Sequence, residues 1–363
     1  MAVMSADLFR LAAIELDVAG AIPATPAWTQ ARITGESINF TPNTTTSNEL
    51  DASGQVRDSI LTGATVSGNV EMEVSYNPFF EVCLAAVFRN DWGTGSEGDG
   101  ADPPVVTTVS ANELIPAKTL GQFAIEKTFF GPVGSGIVDQ YQTFKPVAFD
   151  SLAISIAPNA PITASLAVIG GLLELADTGV TGATYLDPGQ SPVMTAPLVV
   201  TIIIGAVPMT LCFNSLNLTF NSNDRGIECI GTLGIKEQTL GRFEATIEGA
   251  AYFIDNDMLQ ALIDQDEFPV EVELTDSLAN SYNFKYPRCK MTAGSVNAAG
   301  TGQDVIANVS IQALYDSTRL YTCIVTRTHT VPLLAGALAP DLTGAPAAAP
   351  TPVPAEALVE EPA

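Results

Sequence analysis

Residues 65–87 decide the fold: they contain TVSGNVEMEV (residues 65–74) and, after two residues, NPFFEVCLAAV (residues 77–87). The first segment alternates apolar and polar residues, which predicts a β-strand with one buried face. The second begins with Asn77 as a helix cap and Pro78 at the first helical position, and its apolar residues recur at helical spacing. We therefore predict a strand followed by a short helix.

The chain repeats this strand–helix pattern about 180 residues later. Residues 246–263 read TIEGAAYFIDNDMLQALI, with a Thr, a Gly and an Asn cap at matching places. Other segments match in the same order: 37–40 with 215–218, 123–127 with 270–274, and 141–146 with 282–287. An ordered series of matches predicts an internal duplication, in which each copy is one folding unit.

The duplication predicts how the chain is divided. Residues 8–16 fit a short helix, and residues 89–121 are an insertion that the second copy lacks, which predicts a surface loop. The end of the chain is rich in Pro, Ala and acidic residues, a composition that predicts flexibility. The predicted segments are an N-terminal arm at 1–31, a first domain at 32–176, a linker at 177–198, a second domain at 199–331 and a tail at 332–363.

A long hairpin is predicted near the start of the first domain. Residues 42–48 are polar and rich in turn-forming residues, and residues 49–61 can form the returning strand. A hairpin that extends beyond its own domain is a candidate for contact with a neighbouring subunit. The candidate contact residues are Asn43, Thr45, Ser47, Glu49 and Arg57.

The chain is strongly acidic, with 15 Lys and Arg against 40 Asp and Glu and a net charge of −25. Such a chain does not bind nucleic acid through counterion release, which requires clustered Lys and Arg. Glu71 and Glu73 lie two apart on one predicted strand, as do Glu271 and Glu273 on another, so each pair shares a strand face. These faces are either ordinary solvated sheet faces or the lining of a shared acidic cavity.

The sequence shows no catalytic, cofactor or metal motif. His329 is the single histidine. The five cysteines, an odd number, form no C-x-x-C pair and lie mostly in apolar runs, which favours buried thiols. The amino terminus lacks the basic flank and continuous apolar segment of a signal peptide. We therefore predict a protein that is not an enzyme and that has no cofactor, metal or catalytic residues.

One apolar stretch, residues 193–211, is long enough to be considered as a membrane helix. Pro197 and Pro208 would interrupt such a helix, and residues 199–204 are almost all β-branched. Two buried strands that turn at residues 205–206 are the favoured interpretation.

Taken together, the elements resemble a known family. The chain has an arm with Gly20, Pro23 and Pro26, a strand at residues 37–40, a Ser/Thr-rich loop with an acid and an Arg at 47–57, and the strand and helix of residues 66–87. The unit that follows the arm is echoed from residue 215 to 263. This order resembles the major tail tube proteins of long, non-contractile-tailed bacteriophages (siphophages). The resemblance covers roughly residues 15–325.

The resemblance implies a mainly β fold: two tandem tail-tube-type β-sandwich domains, each with one flanking helix, whose strands join those of neighbours in a β-barrel around a DNA channel. Three two-domain chains would form a ring of pseudo-sixfold symmetry, and six chains are the alternative. Glu71, Glu73, Glu271 and Glu273 would then face the lumen, and the hairpin would contact the next ring.

The resemblance also implies the partners and the location. Rings would stack, with the tape measure protein present during assembly and the tail terminator and distal tail proteins at the tube ends. DNA would pass through the lumen without specific binding, and no membrane would be involved. The protein would be assembled in the host cytoplasm and found in the virion tail.

Three alternatives stay open from sequence. The first is another self-assembling β protein, such as a surface-layer or capsid decoration protein, and the second is an outer-membrane barrel, for which a signal peptide and aromatic girdles are missing. The third is a carbohydrate-acting enzyme with a catalytic acid pair.

Overall fold

The computed structural model describes residues 3–17, 20–50, 52–196, 199–204, 212–298 and 300–329. Its first half contains β1 (Phe9–Glu15), β2 (Ala27–Gln30), β3 (Gly35–Glu36), β4 (Asn39–Thr46), β5 (Ser59–Glu73), α1 (Pro78–Phe88), β6 (Ser96–Gly98), β7 (Val106–Thr108), β8 (Glu113–Leu114), β9 (Phe123–Phe129), β10 (Gln140–Ile156) and β11 (Thr163–Ala176). Its second half contains β12 (Thr184–Leu186), β13 (Val199–Ile204), β14 (Phe213–Asn221), β15 (Arg225–Glu228), β16 (Ile235–Thr239), β17 (Glu244–Tyr252), α2 (Asp257–Asp264), β18 (Glu267–Thr275), β19 (Ser281–Asn297), β20 (Ile306–Ala313) and β21 (Ile324–Thr328).

The strand–helix pattern predicted around residue 70 is confirmed. α1 begins at Pro78, and the Asn77 side-chain oxygen accepts a hydrogen bond from the backbone N–H of Phe80 at 2.9 Å, which caps the helix. It ends at Phe88, and the next residue, Arg89, has a left-handed backbone conformation with φ of 56°. In the second copy α2 has Asn256 at the cap position, but that side chain makes no capping hydrogen bond.

The two halves have the same strand order, as a duplication requires. Antiparallel pairing in the first half gives the order β1-β9-β10-β11-β5-β4. Pairing in the second half gives β13-β18-β19-β20-β17-β14. The helix also has an equivalent place along the chain in each half: α1 comes between β5 and β9, and α2 comes between β17 and β18.

Two long strands, β10 and β19, each take part in two layers. The pairing register shifts within β10 between Phe149 and Ser151 and within β19 between Met291 and Ala293, which marks a β-bulge in each strand. Their second halves belong to one continuous sheet, which we call the main sheet: β4-β5-β11-β10-β14-β17-β20-β19. Their first halves pair with β9 and β18 in a second layer.

The layers pack face to face as a β-sandwich around one core. Phe220 of the main sheet lies 5.7 Å from Phe284 and 6.3 Å from Tyr286 of the second layer, measured between ring centroids. Phe88 of α1 lies 5.1 Å from Phe220. Buried residues of both halves belong to this single cluster. The domain boundaries given by sequence therefore stay a prediction.

The amino-terminal segment differs from the sequence expectation. Residues 8–16 were expected to form a short helix, but β1 pairs along its whole length with β9 and also with β2. Residues 11–14 are all buried, because the strand is covered on both faces. A strand buried on both faces has no alternation, so its pattern cannot be distinguished from that of a short helix.

The apolar stretch at residues 193–211 is in part a strand. β13 covers residues 199–204 and pairs with β18, which confirms a strand over these residues. The turn predicted at residues 205–206 lies outside the described residues. Within the described part of the chain, neither helix has the length and apolar character needed to cross a membrane.

The insertion, residues 89–121, is more than a surface loop. Its strand β8 pairs with β21 of the second half, and Gly98 donates its backbone N–H to the carbonyl of Arg319 at 2.9 Å. Val109 and Ile115 are buried against Tyr321 and Ile324. The insertion therefore connects the two halves.

Candidate functional site

One face of the main sheet is open and polar. Because directly paired residues of neighbouring strands share a face, the pairing places side chains in rows across six strands. All members of these rows are exposed or half-exposed, whereas their neighbours along each strand are buried in the core, apart from the half-exposed Gly249. One row contains Glu73, Thr163, Ser155, Asn217, Glu248 and Ser310, and the next contains Glu71, Ser165, Ala153, Thr219, Thr246 and Gln312.

Every charged residue in these two rows is a glutamate: Glu71, Glu73 and Glu248. The remaining positions are small or neutral, and Ser165 donates a hydrogen bond to Glu71 at 2.7 Å. When the second row is continued from β20 onto β19, the next residue is Lys290, which lies opposite Gln312. The Lys290 side chain makes an ion pair with Glu267 at 3.3 Å. Within these two rows, the open face of the main sheet is thus polar and negative.

The structure does not bring the four sequence-predicted glutamates together. Glu71 and Glu73 lie on the open face of the main sheet. Glu271 and Glu273 lie on β18 in the second layer, where Val272 and Leu274 face the core. The two pairs therefore project from opposite sides of the sandwich, and Glu271 is held by Asn283 at 2.7 Å and Lys285 at 3.3 Å.

Sequence reasoning missed Glu248 as a member of the open face. The repeat aligned Thr65-Val66-Ser67-Gly68 with Thr246-Ile247-Glu248-Gly249, and this match could have identified it. Because β5 and β17 occupy equivalent positions in the main sheet, the outward positions of one predict those of the other.

The predicted hairpin is formed by β4 and β5. Asn43 and Thr45 lie on β4 and are exposed, Ser47 is half-exposed, and Glu49 and Arg57 are exposed in the connecting loop. These residues extend beyond the packed core, and their contact with another ring stays a prediction.

Both edges of the main sheet are open. β4 pairs with β5 on one side, and none of the described strands pairs with its other side. In β19, residues 291–297 pair with β20 on one side. On the other side, the pairing with β18 reaches only as far as Lys290, which lies opposite Glu267. Among the described strands, nothing covers that second side of residues 291–297.

The equivalent edge in the first half is filled from within the chain. Residues 151–156 of β10 have β11 on one side and β14 of the second half on the other. This internal junction is also covered by α1, whose Phe88 contacts Phe220 and Phe243 at 5.1 and 5.2 Å between ring centroids.

A buried ion pair anchors the internal junction. The Arg89 guanidinium contacts the Asp224 carboxylate at 2.6 Å, and both side chains are only 4% exposed. Arg89 also donates to the carbonyl of Gly241 at 2.8 Å and to the carbonyl of Ser222. Burial raises the pKa of Asp224, although Arg89 opposes this shift.

A second polar cluster joins α1 to β21. The Glu81 carboxylate is buried and accepts from Arg327, whose guanidinium lies 4.4 Å from the centre of the Trp92 ring. Burial raises the pKa of Glu81 to about 7, outweighing the opposite effects of Arg327 and Tyr76. The Glu81 carboxyl therefore keeps its proton to a higher pH in the folded protein than in the unfolded chain.

This raised pKa predicts a pH-dependent stability. The contribution of protonated Glu81 to the free energy of unfolding is fully present below the ordinary pKa of 4.5, and it is lost as the pH rises through about 7. Relative to Glu81→Gln, the wild type should lose on the order of 3 kcal/mol of unfolding free energy over this range. Denaturant unfolding of both proteins between pH 4.5 and pH 8 measures the difference. The exposed Glu49→Gln variant should show no such trend, and a flat difference for Glu81→Gln would contradict the prediction.

The described residues contain no group of three or more His, Cys, Asp or Glu that could hold a metal ion. Cys83, Cys289 and Cys323 are buried, and burial raises the pKa of each thiol. Cys212 and Cys229 are exposed. His329 lies edge-on to Tyr76, with ring centroids 5.5 Å apart.

A family model described as phage tail tube protein matches residues 10–313, which include all strands from β2 to β20. No curated protein sequence matches the chain.

Proposed function

The chain belongs to the phage tail tube protein family, and from this premise we propose that three copies close into a ring, that rings stack into a siphophage tail tube, and that the genome passes through its bore during ejection. Membership of this family indicates a structural role in the phage tail. The ring, its stoichiometry and the passage of DNA are the proposed part.

The main sheet carries this proposal. It is a continuous eight-stranded sheet with a core-packed face, an open polar face and an unpaired strand edge at each end of the described structure. Unpaired edges expose backbone donors and acceptors, and closure into a barrel satisfies them. A curved arrangement of such sheets would present the open face to the interior.

The width of the main sheet favours three chains over six. Strands lie about 4.8 Å apart, so eight strands span about 38 Å. Three copies give a circumference of about 115 Å and a backbone diameter of about 37 Å, which admits a DNA duplex with room for side chains. Six copies would give a bore about 73 Å across, far wider than a duplex, and strand tilt enlarges both values.

The open face suits a conduit for a polyanion. DNA carries one negative charge per ~1.7 Å of helix axis and binds proteins through Lys and Arg. Within the two rows, the wall offers glutamates and small neutral residues, so it would repel the phosphates over a Debye length of about 8 Å. DNA would therefore slide without being held.

We assign Glu71, Glu73 and Glu248 to the bore and Glu271 and Glu273 to the outside of the tube. The exposed hairpin residues Asn43, Thr45, Ser47, Glu49 and Arg57 remain the proposed contact between stacked rings. The tape measure protein, the tail terminator and the distal tail protein remain the proposed partners, and host cytoplasm remains the proposed place of assembly.

Electron microscopy of the purified full chain tests the proposal. We expect rings or tubes whose cross-section has threefold symmetry with six similar lobes, because each chain supplies two equivalent halves. Six chains per ring would give twelve lobes, and extended sheets would support a surface-layer protein instead. Particles that never exceed the mass of one chain would refute the ring.

A further inference from the structure

The strands that form the internal junction between the two halves have equivalents at the two ends of the main sheet, and there these equivalents lack a partner strand among those described. Since the halves share one strand order, β10 corresponds to β19 and β14 corresponds to β4. In the first half, β14 pairs with the side of β10 that β11 does not cover. The equivalent side of β19 and the outer edge of β4 have no partner among the strands that the structure describes.

The helices show the same difference. Leu84, Val87 and Phe88 of α1 are fully buried, because the second half covers α1 at the internal junction. α2 packs one side against β19, where Leu259 and Leu262 approach Gly294. On and beside α2, however, Ile254 is 66% exposed and Ile263 is 72% exposed. Two isoleucines, on and beside the helix that packs against β19, are thus left exposed.

The hairpin at the opposite end of the main sheet also exposes an apolar side chain on its core side. Leu61 pairs with Thr44 of β4. Pro42, two positions earlier on β4, pairs with Ala64, which is buried in the core. Paired residues share a sheet face, so Leu61 continues the core-side face of the hairpin. It is nevertheless 50% exposed, because nothing described in the chain covers the hairpin there.

Resting on the proposed tail tube function, we infer that the seam between chains is a copy of the internal junction. Residues 291–297 of one chain pair along β4 of the next chain, and Ile254 and Ile263 pack against the core side of that chain's hairpin, including Leu61. The partner is a second copy of the same chain. The contact is head-to-tail, because the two surfaces are different parts of the protein, and a contact of this kind forms a ring when its rotation closes on itself.

The seam differs from its internal counterpart in one respect. Arg89, which anchors the internal junction, caps the C-terminus of α1, and the equivalent position of α2 is Gln265 with the same left-handed backbone. Gln265 is exposed and donates to the carbonyl of Leu262 at 2.8 Å. The seam therefore depends on apolar contact and strand pairing, and raising the salt concentration should not dissolve the rings.

Two variants with a charge on opposite sides of the seam test this inference. Ile263→Glu and Leu61→Glu each place a carboxylate in the seam, and because both side chains are exposed the single chain should fold as before. Each variant alone should need an about tenfold or higher concentration to assemble, measured by sedimentation. Val133→Glu makes a similar change at an exposed residue of another loop and should assemble as the wild type does.

Mixing the two variants gives the sharper result. Ile263→Glu keeps an intact hairpin side and Leu61→Glu keeps an intact helix side, so the mixture should form one-to-one dimers that cannot close. A mixture that stays monomeric, or an Ile263→Glu variant that assembles normally, would overturn the seam while leaving tube formation intact. If wild type and Val133→Glu both remain monomeric, the proposed function itself fails, and the seam with it.

Discussion

Replacing Arg89 with methionine is expected to destabilise the protein by about 3–5 kcal/mol, because the variant leaves the Asp224 carboxylate buried without its partner. The carbonyls of Ser222 and Gly241 would lose their donor as well. The loss should appear as a shift of the denaturant midpoint of the full chain. Since Arg89 lies where α1 meets β14 and β10, the two halves should separate more easily.

Two comparisons show whether the buried pair is the cause. Arg242 makes a nearby ion pair with Glu244 but is 85% exposed, so Arg242→Met should cost less than about 1 kcal/mol. Adding Asp224→Leu to Arg89→Met removes the unpaired charge and should restore much of the stability. Equal losses for Arg89→Met and Arg242→Met would show that the junction does not depend on this pair.

Replacing Glu71 and Glu248 together with lysine is expected to leave tubes of normal appearance but slow DNA ejection by about tenfold or more. Both side chains are exposed on the open face, so the substitution should not disturb the core. Lysines on the wall would contact phosphates and release counterions, and the added attraction would resist sliding. The rate of DNA release from particles carrying the variant measures the effect, which should weaken as salt is raised.

The controls separate charge reversal from general damage. Glu71→Gln with Glu248→Gln removes the negative charges without adding attraction and should slow ejection far less. Asp7→Lys adds a positive charge at an exposed residue before β1, which belongs to the second layer, and should leave ejection unchanged. Ejection at the wild-type rate in the double lysine variant would remove this face from the bore.

Local sequence patterns were enough to predict the duplication and much of the fold. The alternation around Glu71, the Asn-Pro start of α1 and the repeated Thr-x-x-Gly motif at Thr65 and Thr246 are properties of short segments, and their structural consequences are set by neighbouring residues. The sequence patterns could not separate a helix from a doubly buried strand at β1. They also placed Glu271 in the same site as Glu71, because strand alternation shows that two residues share a face but not which layer the strand joins.

By itself the sequence determined that this is an acidic, mainly β protein with a copied strand–helix unit, because charge, hydrophobic period and repetition are written along the chain. Only the tertiary structure decided that β10 bends from one layer into the other and receives β14, that Arg89 meets Asp224, and that Glu248 joins Glu71 on the open face. These relations connect residues far apart in sequence, and they depend on strand pairing and packing that no local pattern encodes.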